Sequence, residues 1–473
     1  TPVIAVGEAF IDRVPGWLKD LAVEWFGTAD KAVLIAGVLI VVAALSAGIG
    51  VLVTRRRGAG LLAAAALGLI AVVATWTRPD ATTTDLWPAV LGSVASLIAL
   101  DYLASRAVGA RTAPPFGDGG HRRAFLRSAG VVAGLAAVSY AAGRWLGARR
   151  SSVEDSRQAV APSDDGTVDP PSGADLGVRG GEPWQTPNDV FYRIDTALSV
   201  PLLRAEDWRL RVHGLVEREL TLDYDELVGM DLIDSWVTLT CVSNEVGGYL
   251  AGNAWWTGVR VADVLAMAGP TAEADAVRST SVDGWTAGTP LDVLTDERDA
   301  MFAVAMNGEP LPVVHGFPVR MVVPGLYGFV SATKWVVDVE VSRFDAFDAY
   351  WSTRGWSEQA PIKTSSRIEV PRGSQYIAAG RVAMAGTAWA QHRGIQAVEV
   401  RVDGGPWQRA RLGTVPSPDT WRQWVWEWDA TPGEHRLQTR AIDGEGELQI
   451  EQTAPPAPDG ATGWHTVTVE VDA

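Results

Sequence analysis

The sequence predicts a chain of several domains: N-terminal transmembrane helices, then an α+β domain, then an antiparallel β-sandwich. Three observations carry this. Up to about Arg150 the chain is dominated by Ala, Val, Leu and Gly with few charges, the remainder is acidic and rich in Trp and Pro, and from Gln375 onward apolar and polar residues alternate. At 473 residues the chain exceeds one ordinary core, and its mean hydropathy of +0.07 averages two different materials.

The membrane elements come first. Ala32 to Val53 is a run of 22 residues without a charge, and a helix needs roughly 20 to cross ~30 Å of hydrocarbon. Ala59 to Trp76 and Leu86 to Ser105 are two further runs, the second interrupted by Asp101, and Ser128 to Gly143 is a shorter fourth. Residues 31–150 are therefore expected to form a membrane domain of four helices, because lipid leaves backbone groups no other partner. Arg55, Arg56 and Arg57 separate the first two runs, and Arg106, Arg111, Arg122, Arg123 and Arg127 separate the last two. Basic loops stay inside, so everything after Arg150 is expected outside the cell membrane, against the contrary charges Arg144, Arg149 and Arg150. Residues 1–30 read as an extracytoplasmic loop or an interfacial helix, and a start at Thr1 leaves room for an upstream span. The stretch His121-Arg122-Arg123-Ala124-Phe125-Leu126-Arg127 resembles a twin-arginine export signal and reads equally as ordinary flanking charge. Since the runs contain no His, anchoring in the lipid bilayer is a simpler role for them than holding haem.

Residues 151–181, rich in Ser, Asp, Pro and Gly, are expected to be a flexible linker. From 182 to 372 short apolar runs alternate with turns and helical stretches. Tyr224 to Met230 and Val261 to Ala268 are expected helices, and Trp236 to Cys241 and Val319 to Val323 buried strands. In 373–473, Ala397 to Val402 leads into the turn Asp403-Gly404-Gly405, and Trp424, Trp426 and Trp428 share one strand face, where core packing is the expected role.

Composition also excludes functions. A net charge of -16 with no basic stripe argues against a nucleic-acid partner. One cysteine excludes an internal disulfide and every multi-cysteine metal site. That cysteine, Cys241, ends an apolar run and opens the polar segment Val242-Ser243-Asn244-Glu245-Val246-Gly247-Gly248. Alone it reads as a small buried hydrophobe, a nucleophile or a soft-metal thiolate. Downstream, Asn307-Gly308-Glu309-Pro310-Leu311-Pro312, His315-Gly316-Phe317-Pro318-Val319-Arg320, Val322-Val323-Pro324-Gly325 and Ser331-Ala332-Thr333-Lys334-Trp335 suggest a rigid anion-binding loop, and Thr186 to Asp195 adds polar groups beside aromatics.

These segments, in this order from about Glu182, resemble the molybdopterin domain of the sulfite-oxidase family. Residues 373–473 resemble that family's immunoglobulin-like dimerisation domain. The resemblance implies a molybdenum-molybdopterin cofactor with Cys241 as the protein's thiolate ligand to the metal. It implies that Asn188, Phe191, Tyr192, Arg193, Asp283, His315, Arg320, Ser331, Thr333 and Lys334 hold the pterin and its phosphate, with Arg193 facing the metal. The bland alternatives are a mutual ion pair for Arg193 and Asp195 and a turn role for Asp283. The sequence departs from sulfite oxidation where Glu245 and Val246 replace arginines after the cysteine, which suits a neutral substrate or proton transfer. Arg354, in Ser352-Thr353-Arg354-Gly355-Trp356, either faces substrate or forms a surface ion pair.

The expected function is a membrane-anchored, extracytoplasmic molybdopterin-dependent oxidoreductase that transfers an oxygen atom on a small or protein-borne substrate. Without a haem domain or flavin fingerprint it needs a separate electron carrier, a cytochrome or membrane redox partner, and the resemblance implies a homodimer. The alternatives are a sulfoxide reductase of the methionine-sulfoxide type, a non-enzymatic binding module and a cysteine-nucleophile hydrolase.

Overall fold

The computed structural model describes residues 6–7, 30–78, 83–111, 127, 130, 131, 134, 149–160 and 168–472. Most of the expected outer segment 1–30 and of the fourth span, and the Arg122-Arg123 signal, lie outside the described residues. The chain divides into two compact units, Thr1–Ser152 with Thr196–Pro201, and Val153–Asp195 with Leu202–Ala473.

In the first unit, helices Asp30–Arg55, Arg57–Trp76 and Thr83–Arg111 cover the three expected runs. Each is long and apolar enough to cross a membrane, over Val33–Arg55, Arg57–Trp76 and Leu86–Ser105. Arg56 alone interrupts the first two helices. Large apolar side chains such as Ile40, Leu62 and Ile98 point outward, the inverse of a water-soluble bundle. Small residues set the helix spacing: a Cβ on Gly68 would lie 2.7 Å from Ser93 Oγ. Arg57 forms an ion pair with Asp101 at 2.7 Å, which explains how a carboxylate is carried near the end of the third run.

The second unit contains four sheets. One runs Leu220–Asp223, Arg209–Gly214, Val336–Ser342, Ala276–Ser281, Thr286–Pro290, parallel only where Arg209–Gly214 meets Val336–Ser342. Another joins Leu232–Thr240, Ala251–Arg260, Met301–Met306 and Glu309–Pro310, with Arg320–Val322 on Met301–Met306. Both expected helices are present. Tyr224–Val228 starts at a reciprocal cap between Asp223 and Glu226, and Val261–Ala268 stops at Gly269, whose φ of 71° suits a residue without Cβ. Leu232–Thr240 is buried on both faces from Ser235 on, so its sequence reads as a continuous apolar run.

C-terminal to these lie a four-stranded sheet (Ser365–Val370, Gly380–Trp389, Arg422–Ala430, Arg411–Leu412) and a five-stranded sheet (Tyr376–Ala378, His465–Asp472, Gly433–Asp443, Ile395–Val402, Gln408–Arg409). They share a core that includes Trp424, Trp428, Val398, Leu437 and Val469, with Trp426 packed against it. The expectation of indoles packing a core is met. The pairing is antiparallel except for Tyr376–Ala378 beside His465–Asp472, a departure from the purely antiparallel arrangement expected.

The expected linker 151–181 is corrected where it is described. Arg149–Ala159 is a helix, Val153 is buried, and Ser156 Oγ donates to Glu206 Oε2 at 2.7 Å. Arg157 donates to the carbonyls of Pro310 and Leu311, and Ala174 is fully buried. Among the described residues of this stretch, Ser156 and Arg157 have specific hydrogen-bond partners, which a tether would lack.

Candidate functional site

Cys241 is the first residue after Leu232–Thr240, where the chain leaves the sheet for a ten-residue loop before Ala251–Arg260. The loop closes at its base: Cys241 N donates to Leu250 O at 2.9 Å, Asn244 N to Cys241 O at 3.0 Å, and Leu250 N to Asn244 Oδ1 at 2.8 Å. The thiol is buried, and burial raises its pKa, while hydrogen bonds at Ser243 and the charge of Lys334 pull the other way. A buried thiol of this kind is inert until a cation stabilises its anion.

Around it the structure gathers the residues expected upstream and downstream. Phe191 stacks on Tyr192 with ring centroids 5.3 Å apart and meets Trp256 and His315 edge-on at 5.9 and 5.6 Å. The Tyr192 phenol is held far above its usual pKa, by burial first and then by the negative charge of Cys241. His315 is positioned by a short turn, Val313–His315, that ends at Gly316 with φ 116°. Its Nε2 donates to Asn188 O at 2.9 Å, while Nδ1 is buried without a partner among the described residues. Burial, reinforced by Arg320, drives the His315 pKa down to about 4, so the ring is neutral at pH 7 and Nδ1 is a bare acceptor.

Arg320 opens the strand Arg320–Val322, is 4% exposed and lies 5.0 Å over the Trp256 ring, donating to His315 O at 3.1 Å. Burial lowers its pKa to about 10. Lys334, with its side chain 11% exposed, pairs with Asp195 Oδ2 at 3.1 Å, and that same oxygen accepts from Arg193 Nε at 2.9 Å. Burial brings Lys334 down to about 8, with Asp195 opposing. The expected Arg193–Asp195 pair therefore exists, and it forms part of a larger cluster. Lys334 and Arg193 share the Asp195 carboxylate, and Arg320 is near enough for its charge to lower the pKa of both Lys334 and His315. That surplus of positive charge in a poorly solvated site calls for an anion.

The remaining expected residues brace the cluster or lie apart from it. Asn188 Nδ2 donates to Met306 O at 3.2 Å, and its Oδ1 accepts from Asn307 at 2.8 Å. Ser331 Oγ donates to the carbonyls of Leu326 and Tyr327, and Thr333 Oγ1 sits 2.7 Å from Ser279 Oγ. Both hydroxyls are thus engaged in stiffening 326–334. Asp283 accepts from Trp285 N in the turn before Thr286–Pro290, the turn role weighed for it, and Val282 N ties that turn to Trp335 O. Glu245 is exposed on the cysteine loop. Arg354 lies 3.6 Å over the Tyr350 ring and donates to Tyr350 O and Thr353 Oγ1, so its contacts are local.

Sequence reasoning assigned no cofactor-site role to three contributors. Asn307, with φ 53°, holds Asn188 Oδ1, Thr186 O and Trp255 N at once, and the dipeptide Asn307-Gly308 between two strands is a turn signal that marks it. Trp256 floors Arg320 and donates its indole N–H to Val237 O. Asp195 bridges two cations across 139 residues of chain to Lys334, which spacing alone does not reveal.

The pieces fit the cofactor the sequence suggested. An acceptor without a donor at His315 Nδ1 suits a pterin N–H, and the unbalanced cations suit a phosphate. Comparisons with known proteins agree. Residues 197–351 match the family described as oxidoreductase molybdopterin binding domain. Human mitochondrial sulfite oxidase is 31% identical over 323 residues, covering 58% of this chain and 59% of that protein. The chain thus spans 59% of that relative's length. The uncharacterized oxidoreductase YuiH of Bacillus subtilis is 34% identical over 149 residues, covering 32% of this chain and 72% of that protein. The sulfane dehydrogenase SoxCD structure from Paracoccus pantotrophus shares the fold with a TM-score of 0.52 at 24% identity, covering 62% of this chain and 84% of that one. The chain belongs to the sulfite-oxidase family of molybdenum-dependent molybdopterin oxidoreductases.

Proposed function

We propose that this chain is a membrane-anchored, extracytoplasmic oxidoreductase that carries out a two-electron oxygen-atom transfer with a molybdenum-molybdopterin cofactor. The observation that carries the reading is one buried thiol beside the cations Arg193, Arg320 and Lys334, for which the structure shows, among the described residues, the single carboxylate partner Asp195. Cys241 is the protein's thiolate to the metal, and Lys334 lowers the cost of its negative charge. Arg320 and Lys334 hold the phosphate, His315 and Asn188 orient the pterin, and Phe191 with Tyr192 excludes water. Ser331, Thr333 and Asp283 keep the surrounding loops in place. When bound, the cofactor supplies the oxygen-atom and two-electron chemistry, and the protein supplies orientation and electrostatics. Arg193, with 39% of its side chain exposed, is placed to meet an incoming oxyanion.

Residues 31–150 anchor the chain in the cell membrane, 182–372 form the catalytic domain and 373–473 an immunoglobulin-like dimerisation domain. Basic residues at 55–57 and 106–127 support a cytoplasmic position for those loops and an outer position for the catalytic domain. The Arg122-Arg123 segment suits export of a folded, loaded protein. Electrons pass to or from a separate cytochrome or membrane carrier.

A second reading, reduction of a sulfoxide, is favoured by exposed Glu245, because a carboxylate beside the thiol loop disfavours approach of a sulfite dianion. The test uses full-length protein from a host that makes the cofactor. Molybdenum and pterin in a one-to-one ratio with protein, together with turnover of sulfite or of a sulfoxide, support the proposal. Purified protein without either would overturn it in favour of a binding module.

A further inference from the structure

The far end of the cysteine loop is gripped from the C-terminal sandwich. Gly248 O accepts from Arg367 Nη1 at 3.0 Å, and Arg367, on Ser365–Val370, is only 1% exposed. Its Nε and Nη2 bind Glu369 Oε1 at 2.8 Å, and Glu369 accepts in turn from Thr387 Oγ1 and from Glu182 N. Tyr249, Trp389 and Trp421 surround the guanidinium at 5.0 to 5.8 Å. One residue earlier on the loop, Gly247 lies so close to His465 that a Cβ there would be 2.2 Å from Nε2. His465 is fixed from behind by Ile368 N, which donates to Nδ1 at 2.9 Å. The loop therefore has two anchors, the hydrogen bonds between Cys241, Asn244 and Leu250 at its base and Arg367 with His465 at its tip.

We infer that Arg367 is a positioning residue for Cys241: by holding Gly248 O it fixes the loop so that the thiol stays in one orientation toward the cofactor. This assignment rests on Cys241 being the thiolate ligand. Its physical basis is that a guanidinium has donors enough to serve a carboxylate and a carbonyl together, whereas an ammonium at the same place is too short and too compact to reach both. Because Glu369 already neutralises Arg367, the pair adds no net charge near the thiol. Its contribution is geometric.

The test uses the full-length, detergent-purified chain in cofactor-free and loaded forms. The variants are Arg367→Lys and the double variant Arg367→Met/Glu369→Gln, which removes both charges together. Arg393→Lys, in a C-terminal ion pair with Asp443, is the control for general destabilisation. In the cofactor-free form, alkylation of Cys241 by iodoacetamide is expected to accelerate about ten-fold in both Arg367 variants, as loss of one charged hydrogen bond to the loop implies. The control is expected to stay within about two-fold of wild type. In the loaded form, the molybdenum paramagnetic resonance of the Arg367 variants should shift or broaden and kcat should fall with KM retained. Unchanged Cys241 reactivity with an unchanged resonance would overturn the assignment. Hydrogen exchange on the wild-type chain needs no variant: the Gly248 and Leu250 amides should be protected, and exchange at the rate of an open loop would also overturn it. Because alkylation is read without cofactor, a protein that never loads molybdenum refutes the proposed function and leaves the clamp separately testable.

Discussion

Lys334 offers the sharpest quantitative check on the cation cluster. Burial brings its pKa down from 10.5 to about 8, against the pull of Asp195. A base whose folded pKa is depressed binds fewer protons folded than unfolded, so stability is present above the unfolded pKa and is lost as pH falls through the folded one. At 1.36 kcal/mol for each pH unit, the drop from 10.5 to about 8 corresponds to about 3 kcal/mol. The Lys334 side chain is 11% exposed, so solvent screening removes little of this. Cofactor-free wild-type protein is therefore expected to gain about 3 kcal/mol between roughly pH 8 and pH 10.5 relative to Lys334→Met. The assay is denaturant unfolding followed by tryptophan fluorescence, with pH stepped across that window. Equal pH slopes in the two proteins would refute the claim that a protonated lysine is held at a cost in the empty site. Loading with cofactor should shrink the difference, because the anion then compensates the ammonium.

Other changes have distinct signatures. Gly247→Ala places a Cβ at a φ of 79° and against His465, and should lower thermal stability by about 1–3 kcal/mol and weaken cofactor retention. Asn307→Ala removes contacts to Asn188, Thr186 and Trp255 and should cost about 1–3 kcal/mol in denaturant unfolding, with reduced pterin content. Glu245→Arg reverses the exposed charge on the cysteine loop and should raise kcat/KM for sulfite about ten-fold at low salt, an effect that fades as salt is added.

Much of this architecture is written in local patterns. Helices and buried strands follow periodicity and caps, so Asp30–Arg55 and Val261–Ala268 fall where hydropathy and turn residues place them, while the strand expected over Trp236 to Cys241 begins earlier, at Leu232, and ends just before the cysteine. Trp424 and Trp428 reach the core because alternation puts them on the inner strand face. The candidate site was legible as a set of segments, since turn-rich motifs flank Cys241, His315, Arg320 and Lys334. What joins those segments was not. Asp195 to Lys334 and Arg367 to Gly248 are contacts between residues more than a hundred positions apart, made by tertiary packing that local sequence does not encode. The misread stretch 151–181 fails for a related reason. Ser156 and Arg157 find partners far along the chain, at Glu206 in the short helix Ala205–Asp207 and at the Pro310 and Leu311 carbonyls, so composition alone makes the stretch look unbound. Roles such as that of Arg354, whose contacts stay with Tyr350 and Thr353, need the fold to be assigned at all.

The central claim is that the one sulfur of Cys241 is the protein's ligand to molybdenum. Cys241→Ser, expressed in a host that makes the cofactor, tests it by X-ray absorption at the molybdenum edge alongside turnover. The account predicts one metal–sulfur bond fewer than in wild type, with pterin still bound through Arg320 and Lys334, and turnover reduced by at least ~100-fold, about 2.7 kcal/mol of barrier. An unchanged sulfur count with full activity in that variant would contradict it.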